Sequence, residues 1–175
     1  QDQMSWIAMA VALTGCLSAA WAGEDTFKHL DRDADGYISA EEAGARTHVI
    51  DVTRKNIVPC KEYVVCEKKG FCPIDDDMKH GIYALLREAD VIVLASPVFF
   101  YNVTAQLKAL IDRCQTFWAR KYRLKLADPA QKFRRGFLLS TGATRGRNLF
   151  EGMKLTAQYF FDAVRSEERR VGKEC

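Results

Sequence analysis

The most constraining feature of this sequence is a short apolar run that ends in a proline turn. Val91 to Ala95 is apolar without polar alternation, which is typical of a strand buried on both faces of a parallel sheet. The run breaks at Ser96-Pro97, passes through an aromatic segment and enters a predicted helix near Thr104. Ligands of open α/β sheets lie at the carboxyl ends of the strands. The sequence therefore predicts a doubly wound α/β domain with a binding loop after this strand.

The segment after the predicted strand has a composition that suits a flat ring. It is apolar and aromatic with a single amide, which gives a hydrophobic slot and a few directed hydrogen bonds. We expect this loop to contact a bound ring through Ser96, Pro97, Val98, Phe99, Phe100, Asn102 and Val103.

The helix that follows carries the sequence QLKALIDR from Gln106 to Arg113. Strand, Ser-Pro-Val-aromatic-aromatic loop and helix together resemble the flavodoxin-like family of NADPH-dependent FMN reductases and iron–sulfur flavoproteins. The alternative is an ordinary strand–helix unit with aromatic residues in its core. The resemblance covers about residues 44–164. It implies FMN as cofactor, NADPH or NADH as electron donor, and a small-molecule or metal electron acceptor.

A second loop of the same family follows a predicted strand at Gly136–Ser140. The resemblance implies that its backbone N–H groups meet the polar edge of the flavin ring. It also implies no catalytic side chain, because the cofactor carries the chemistry. The residues that the resemblance assigns to this loop are Thr141, Gly142, Ala143 and Thr144.

Two elements of the family pattern have no counterpart in the sequence. Nothing before Gly44 resembles the first strand and its Ser/Gly-rich phosphate loop, and the last strand is missing after residue 164. The expectation is a partial flavodoxin-like sheet with strands 2, 3 and 4 of five. Strands 2 and 3 would then face a gap, unless the apolar segment 7–20 fills it. Without the phosphate loop we expect weak FMN binding, and the activity of this chain is left open.

The N-terminal segment resembles an export signal. Ile7 to Ala20 is an apolar stretch, Ala20-Trp21-Ala22 is a cleavage-like pattern, and the residues before Cys16 resemble a lipoprotein box. The alternative is a buried hydrophobic helix. Secretion or lipoprotein export conflicts with the cytoplasmic location expected for the flavodoxin-like part.

An acidic segment fits the twelve-residue calcium loop of an EF-hand, with Gly36 at the sharp turn. The alternative is a solvated acidic turn. A secreted EF-hand calcium-binding protein is accordingly the alternative function, and a cofactor-free interaction domain is a third. The predicted Ca²⁺ ligands are Asp31, Asp33, Asp35, Tyr37, Ser39 and Glu42.

The C-terminal segment from Arg165 to Cys175 resembles the in-frame translation of a short-read sequencing adapter. The mixed character of the chain predicts a joined reading frame with its junction near residues 40–45. The predicted division is a signal-like segment at 1–22, a single EF-hand-like loop at 23–43, a truncated FMN-binding domain at 44–164, and an artefactual tail at 165–175.

Three cysteines, Cys60, Cys66 and Cys72, lie close together in the sequence. Iron–sulfur flavoproteins of the resembled family hold a four-iron cluster with closely spaced cysteines, and Tyr63 stands where a further one is expected. Three thiolates fall short of the usual four, so we expect no Fe–S cluster. Reduced structural or redox-active thiols and an adventitious metal remain as alternatives. Cys114 lies on an apolar helix stripe and is predicted to be core.

Charge and the remaining patterns limit the partners. The formal net charge is +3 and no basic run is interleaved with aromatic residues, so nucleic acid is not predicted as a partner.

The aspartates 75–77 precede a predicted helix at Met78–Glu88 and are interpreted as helix caps. The family resemblance implies a homodimer, for which exposed aromatic rings at Phe117 and Trp118 are suitable.

Overall fold

The computed structural model describes residues 5–9, 45–126, 134–144, 146–164 and 167–168. The strands are β1 Ser5–Met9, β2 Arg46–Val49, β3 Val91–Pro97, β4 Arg135–Thr141 and β5 Glu167–Glu168. A 3₁₀ turn Val52–Arg54 and the short helix α1 Val65–Lys69 precede a π-helical turn Met78–Ile82, which leads into α2 Tyr83–Glu88. Then follow α3 Ala105–Arg113, α4 Gln115–Trp118 with a π-helical turn Ala119–Arg123, and α5 Glu151–Ala163.

The described strands form one sheet in the order β2-β1-β3-β4-β5, and all of their pairings are parallel. The longest pairing joins β3 and β4 from Val91↔Arg135 to Pro97↔Thr141. This order is that of flavodoxin-like doubly wound sheets. The predicted fold class is therefore confirmed.

The expectation that only strands 2, 3 and 4 are present is wrong. Ser5–Met9 pairs with both β2 and β3 and so occupies the centre of the sheet. Glu167–Glu168 pairs with Arg135–Gly136 at the opposite edge from β2. An apolar run of strand length suits the middle of a parallel sheet as well as an export signal, and sequence alone does not separate the two. Strands β2 and β3 therefore do not face a gap.

Burial of β3 explains the uninterrupted apolar run. Ile92 and Leu94 are fully buried, and Val91 and Ala95 are nearly so. Ile92 and Leu94 pack in a core that includes Leu107 and Leu110 of α3 together with Met153 and Phe161 of α5. Each such side chain contributes about 1.5–3 kcal/mol when it leaves water. This core fixes the positions of the loops that follow β3 and β4.

Two predicted helices differ from the observed ones in their first turns. Met78–Glu88 begins as a π-helical turn, because Gly81 has a non-helical backbone within it. The aromatic amphipathic pattern from Asn148 to Val164 predicts a helix over that range. The observed helix begins at Glu151, since Asn148 has a positive φ of 60° and belongs to the preceding turn. The α3 helix begins as predicted, with Thr104 as its N-cap. In the described ranges, no helix combines the length and apolar character needed to cross a membrane.

Candidate functional site

The two predicted ring loops emerge side by side at the carboxyl edge of the sheet. Pro97 and Thr141 are paired at the ends of β3 and β4, and the Val98 N–H donates to the Thr141 carbonyl at 3.1 Å. The Ser140 hydroxyl donates to the Ser96 carbonyl at 2.8 Å. The sheet therefore brings together the two segments that the sequence predicted as one site.

The aromatic turn, Phe99–Asn102, is closed by its own backbone. Phe99 N–H donates to the Asn102 carbonyl at 2.8 Å, and Asn102 N–H donates back at 3.0 Å. Phe100 and Tyr101 have φ values of 49° and 62°, an uncommon left-handed conformation for bulky residues. Phe100 and Tyr101 lie at the tip of the turn, and the Phe100 side chain is fully exposed. The turn thus presents an aromatic surface to solvent, and backbone bonds set its shape.

Ser96 and Val103 lie beneath this turn and are both buried. The Ser96 hydroxyl oxygen accepts from Thr104 N–H at 3.1 Å, and the Thr104 hydroxyl oxygen accepts from Leu107 N–H at 3.5 Å. These bonds join the turn to the start of α3. Two of the predicted site residues therefore support the loop from inside. Pro97, Val98 and Asn102 are half-buried, and Phe99 and Phe100 are exposed.

The amide loop, Thr141–Thr144, is exposed throughout. The N–H groups of Gly142, Ala143 and Thr144 donate to no other described residue. The loop packs back on the turn before α5, because a Cβ added at Gly142 would lie 2.5 Å from a methyl carbon of Leu149. Within the described part of the chain, these exposed amides therefore have no acceptor, and they lie where an acceptor group of a bound molecule could receive them.

The aromatic turn and the start of α5 are in backbone contact. A Cβ added at Gly152 would lie 2.3 Å from the Tyr101 carbonyl oxygen, so a residue without a side chain is required there. A Cβ at Gly146 would lie 3.4 Å from the Tyr101 hydroxyl oxygen, which is an ordinary contact. Gly152 is a contact residue of the turn that was not predicted from the sequence. A glycine inside a helical pattern was the available signal.

The residues present fit a flavin ring in composition and position. The aromatic turn offers an apolar surface, and the neighbouring amide loop offers hydrogen-bond donors. A flat apolar ring with carbonyl groups along one edge requires both. The predicted Ca²⁺ ligands lie outside the described residues: Asp31, Asp33, Asp35, Tyr37, Ser39 and Glu42.

The cysteine loop, residues 57–77, lies beside the other end of α3. Its three cysteines are free thiols, with Cys60 exposed and Cys66 and Cys72 half-buried. Burial raises the pKa of the Cys66 thiol, and the neighbouring Cys60 and Cys72 raise it further. Among the described residues, no three or more His, Cys, Asp or Glu side chains are arranged to hold a metal ion. The fit to a metal cluster is therefore poor.

A buried ion pair holds both ends of the cysteine loop to α3. The Arg113 guanidinium donates through Nη1 to the Val58 carbonyl at 2.7 Å, and through Nη1 and Nη2 to both carboxylate oxygens of Asp76. Asp76 also accepts from Val58 N–H at 2.9 Å and from Met78 N–H at 3.1 Å. Both side chains are fully buried. One carboxylate thus fixes the loop, the next helix and α3 together.

The ion pair changes the titration of the carboxyl group. Burial acts to raise the pKa of Asp76, but hydrogen bonds from Arg113 and Val58 outweigh it and lower the pKa below its ordinary value. Burial acts to lower the pKa of Arg113, and the bond with Asp76 raises it instead. Both groups are therefore charged at neutral pH.

The sequence analysis predicted only part of this arrangement. The cap interpretation is confirmed for Asp76, which accepts from Met78 N–H. The partner was missed, although Arg113 falls three residues after Leu110, on the buried side of α3. A charged residue at a buried spacing was the available signal.

The predicted environments of three other side chains can be compared with the structure. Cys114 is buried in the core, as predicted, and burial raises the pKa of its thiol. The expectation of exposed rings at Phe117 and Trp118 is wrong, since both are half-buried. Phe117 packs edge-on against Tyr83 with ring centroids 5.5 Å apart, and the ring centroids of Trp118 and Tyr122 are 5.8 Å apart. Apolar contacts within the chain cover most of both rings.

Comparison with known families agrees with the family that the two loops resemble in sequence. The model of the family described as NADPH-dependent FMN reductase matches residues 27–149, which is more than half of the chain. The chain belongs to this family. The matched range includes the segment 31–42 and the proposed junction at 40–45, so it gives no support to an EF-hand or to a joined reading frame.

Curated relatives of the chain include iron–sulfur flavoproteins of archaea. The chain is 41% identical over 86 residues to one from Methanosarcina thermophila, covering 49% of this chain and 44% of the relative. It is 42% identical over 82 residues to one from Archaeoglobus fulgidus, covering 47% and 42% respectively. The chain thus matches less than half the length of these relatives.

Solved structures show the fold alone. A flavone reductase aligns with a TM-score of 0.51 and 15% identity, covering 95% of this chain and 51% of that chain. A structure of RosB with bound 8-demethyl-8-formylriboflavin-5'-phosphate aligns with a TM-score of 0.51 and 15% identity, covering 95% and 62%. Both support the flavodoxin-like sheet of this member of the FMN reductase family.

Proposed function

We propose that this chain binds a flavin ring between the aromatic turn and the amide loop and serves as an NAD(P)H-dependent flavin oxidoreductase. The observation that carries the proposal is the pairing of Pro97 with Thr141, which sets the two loops side by side. FMN, when bound, accepts a hydride from NADPH or NADH and passes electrons to an acceptor. The acceptor class is a quinone, a nitro compound or a metal ion.

The residues of the two loops have separate roles in this proposal. Phe99 and Phe100 cover one side of the ring because they are exposed at the tip of the turn. The N–H groups of Gly142, Ala143 and Thr144 donate to the carbonyl edge of the ring. Ser96 and Val103 support the turn from below, while Pro97, Val98, Asn102 and Thr141 lie at its base.

The affinity for FMN depends on the phosphate group. Hydrogen bonds to a charged group contribute about 1.5–3 kcal/mol each. The loss of two or three of them lowers affinity by about 10³-fold or more. Because the sequence before Gly44 does not resemble the family's Ser/Gly-rich phosphate loop, we propose that the ring contacts provide most of the affinity. Residues 10–44, where such a loop would follow β1, lie outside the described residues.

Anaerobic reduction of free flavin tests the oxidoreductase proposal. The chain is mixed with excess FMN and either NADPH or NADH, and loss of visible flavin absorbance is followed against a protein-free sample. We expect a faster loss with the chain, and a slower one for the double variant Phe99→Ala/Phe100→Ala. Phe71→Ala, which removes an exposed ring in the cysteine loop at the other end of α3, is the matched control. Equal rates with and without the chain would contradict the proposal.

The division of the chain into segments and the calcium site are two further proposals. We retain 44–164 as the main part of the flavin-binding domain, to which the structure adds Ser5–Met9 and Glu167–Glu168 as strands.

Calcium binding rests only on the spacing of carboxylates between Asp31 and Glu42. Calorimetric titration with Ca²⁺, compared with Asp31→Ala, tests it directly, and absence of a heat signal would remove this alternative.

A homodimer is proposed on the family resemblance alone. Leu155 and Tyr159 on α5 are the exposed apolar residues of that helix, one turn apart. A second copy would cover this face rather than Phe117 and Trp118. Sedimentation of the wild type and of Leu155→Glu measures the association. A monomer for the wild type would contradict pairing.

A further inference from the structure

The cysteine loop has the spacing of an iron–sulfur loop with one ligand replaced. Such clusters are held by four thiolates, and ferredoxin-type runs place successive ligands three residues apart. Cys60, Tyr63 and Cys66 follow that interval, so Tyr63 occupies the middle ligand position. A phenol is protonated at neutral pH, with an ordinary pKa of about 10. It does not supply the soft anionic ligand that iron–sulfur clusters take.

The geometry of the loop does not compensate for the missing thiolate. Among the described residues, no three or more His, Cys, Asp or Glu side chains are arranged around a common metal position. Tyr63 is 56% exposed. The two residues beside it, Glu62 and Val64, have φ values of 51° and 58°. A left-handed backbone at a β-branched residue is unusual. The structure thus keeps a strained segment at the replaced position.

Contacts with protein groups hold this loop at its beginning, middle and end. Arg113 bonds the Val58 carbonyl and Asp76 at the two ends. In the middle, Arg120 donates to the Gly70 carbonyl at 3.2 Å. The Nε atom of Arg123 lies 3.7 Å from the Oε2 atom of Glu67. The helix α1 is closed by the Gly70 N–H, which donates to the Cys66 carbonyl at 2.9 Å. Protein groups therefore contact the loop along its whole length.

We infer that this chain has kept the fold of a cluster loop without the cluster, because Tyr63 replaces one of its ligands. Cys60, Cys66 and Cys72 remain free thiols, and the arginine contacts hold the loop in place. The inference separates this chain from the relatives whose names include an iron–sulfur centre. It is independent of the proposed flavin site, because iron, sulfide and thiols are measured without flavin.

Anaerobic incubation of the full chain with ferrous iron and sulfide tests this inference. After desalting, iron and acid-labile sulfide are counted per chain, and alkylation of Cys60, Cys66 and Cys72 is mapped by mass spectrometry. We expect no bound cluster, unchanged alkylation after the incubation, and faster alkylation at the exposed Cys60 than at Cys66. Retention of three or about four irons per chain, with the thiols protected, would overturn the inference.

Two variants at one position test whether Tyr63 is the cause. Tyr63→Cys supplies a fourth thiolate and is expected to retain about four irons with matching sulfide. Tyr63→Phe keeps the ring without the hydroxyl and is expected to behave as the wild type. Circular dichroism of each variant verifies that the fold is kept. If folded Tyr63→Cys retains no iron, the assignment to Tyr63 is wrong.

Discussion

The two ends of α3 hold two exposed loops in different ways. At the Thr104 end, uncharged hydrogen bonds and backbone pairing fix the aromatic turn. At the Arg113 end, a fully buried ion pair fixes the cysteine loop. The first loop has a shape that depends little on its exposed side chains, so those side chains are free to contact a ligand. The second loop is held at both of its ends by one buried pair of charges, with further contacts from Arg120 and Arg123 to its middle.

Removal of Arg113 gives the largest effect that this comparison predicts. Arg113→Met leaves the Asp76 carboxylate buried without its partner, and we expect a loss of about 3–5 kcal/mol in the free energy of unfolding. Lys108→Ala is the control on the same helix. Its exposed pair with Asp112 is worth about 0.3–0.5 kcal/mol. Urea unfolding followed by circular dichroism measures both. A loss below about 1 kcal/mol for Arg113→Met would contradict the comparison.

The double variant Asp76→Asn/Arg113→Met adds a second test of the same pair. Because both charges are removed, we expect it to be more stable than Arg113→Met alone. Strict additivity of the two single losses would show that the charges do not act together.

Acid should weaken the cysteine loop through the same carboxylate. The pKa of Asp76 is lowered in the folded chain, so its contribution to stability is complete above the unfolded pKa of about 3.9. That contribution is lost as the pH falls through the lower folded pKa. Unfolding free energies of the wild type and Asp76→Asn are compared over this range. We expect their difference to shrink toward low pH, and a constant difference would contradict the assignment.

An added methyl group at Gly152 should disturb the other end of the comparison. The Cβ of Gly152→Ala would meet the Tyr101 carbonyl oxygen at 2.3 Å, and overpacking of this kind costs about 1–3 kcal/mol. We also expect weaker flavin binding, because the aromatic turn must move. Gly146→Ala, whose Cβ meets the Tyr101 hydroxyl at 3.4 Å, is the control. Thermal unfolding and flavin fluorescence give the two readouts, and equal behaviour of both variants would refute the close contact.

Phe100→Ala should have the smallest effect on stability and a specific effect on binding. The side chain is fully exposed, so the free energy of unfolding should change by less than about 0.5 kcal/mol. Flavin affinity should fall roughly two- to tenfold, the value of one ring–ring contact. Phe71→Ala, which removes an exposed ring at the other end of α3, is again the control, with neither quantity expected to change. A destabilised Phe100→Ala with unchanged flavin affinity would reverse the roles given to the two loops.

Much of this arrangement follows from local sequence patterns. The apolar run at Val91–Ala95 predicts a strand buried on both faces, and Thr104 predicts the start of α3. Both features are determined by residues that are close together in the sequence. The position of the two ring loops follows from the parallel sheet itself. These are the features that the structure confirms.

The features that were missed depend on residues far apart in the sequence. Ser5–Met9 becomes the central strand only because β2 and β3 lie on either side of it. Arg113 pairs with Asp76 across 37 residues, and Gly152 meets a carbonyl from a different loop. Periodicity places Arg113 on the buried side of α3, but for none of these contacts does it identify the partner. Each is fixed by tertiary packing.

Fluorescence titrations with FMN and riboflavin, done side by side on the wild-type chain, test the central claim most directly. Both ligands carry the same ring, and only FMN carries the phosphate. The account predicts that both bind, with dissociation constants within roughly tenfold of each other, because the two loops contact the ring. Absence of binding by both would contradict the ring site. An FMN affinity about 10³-fold tighter than that of riboflavin would contradict the proposal that the ring contacts provide most of the affinity.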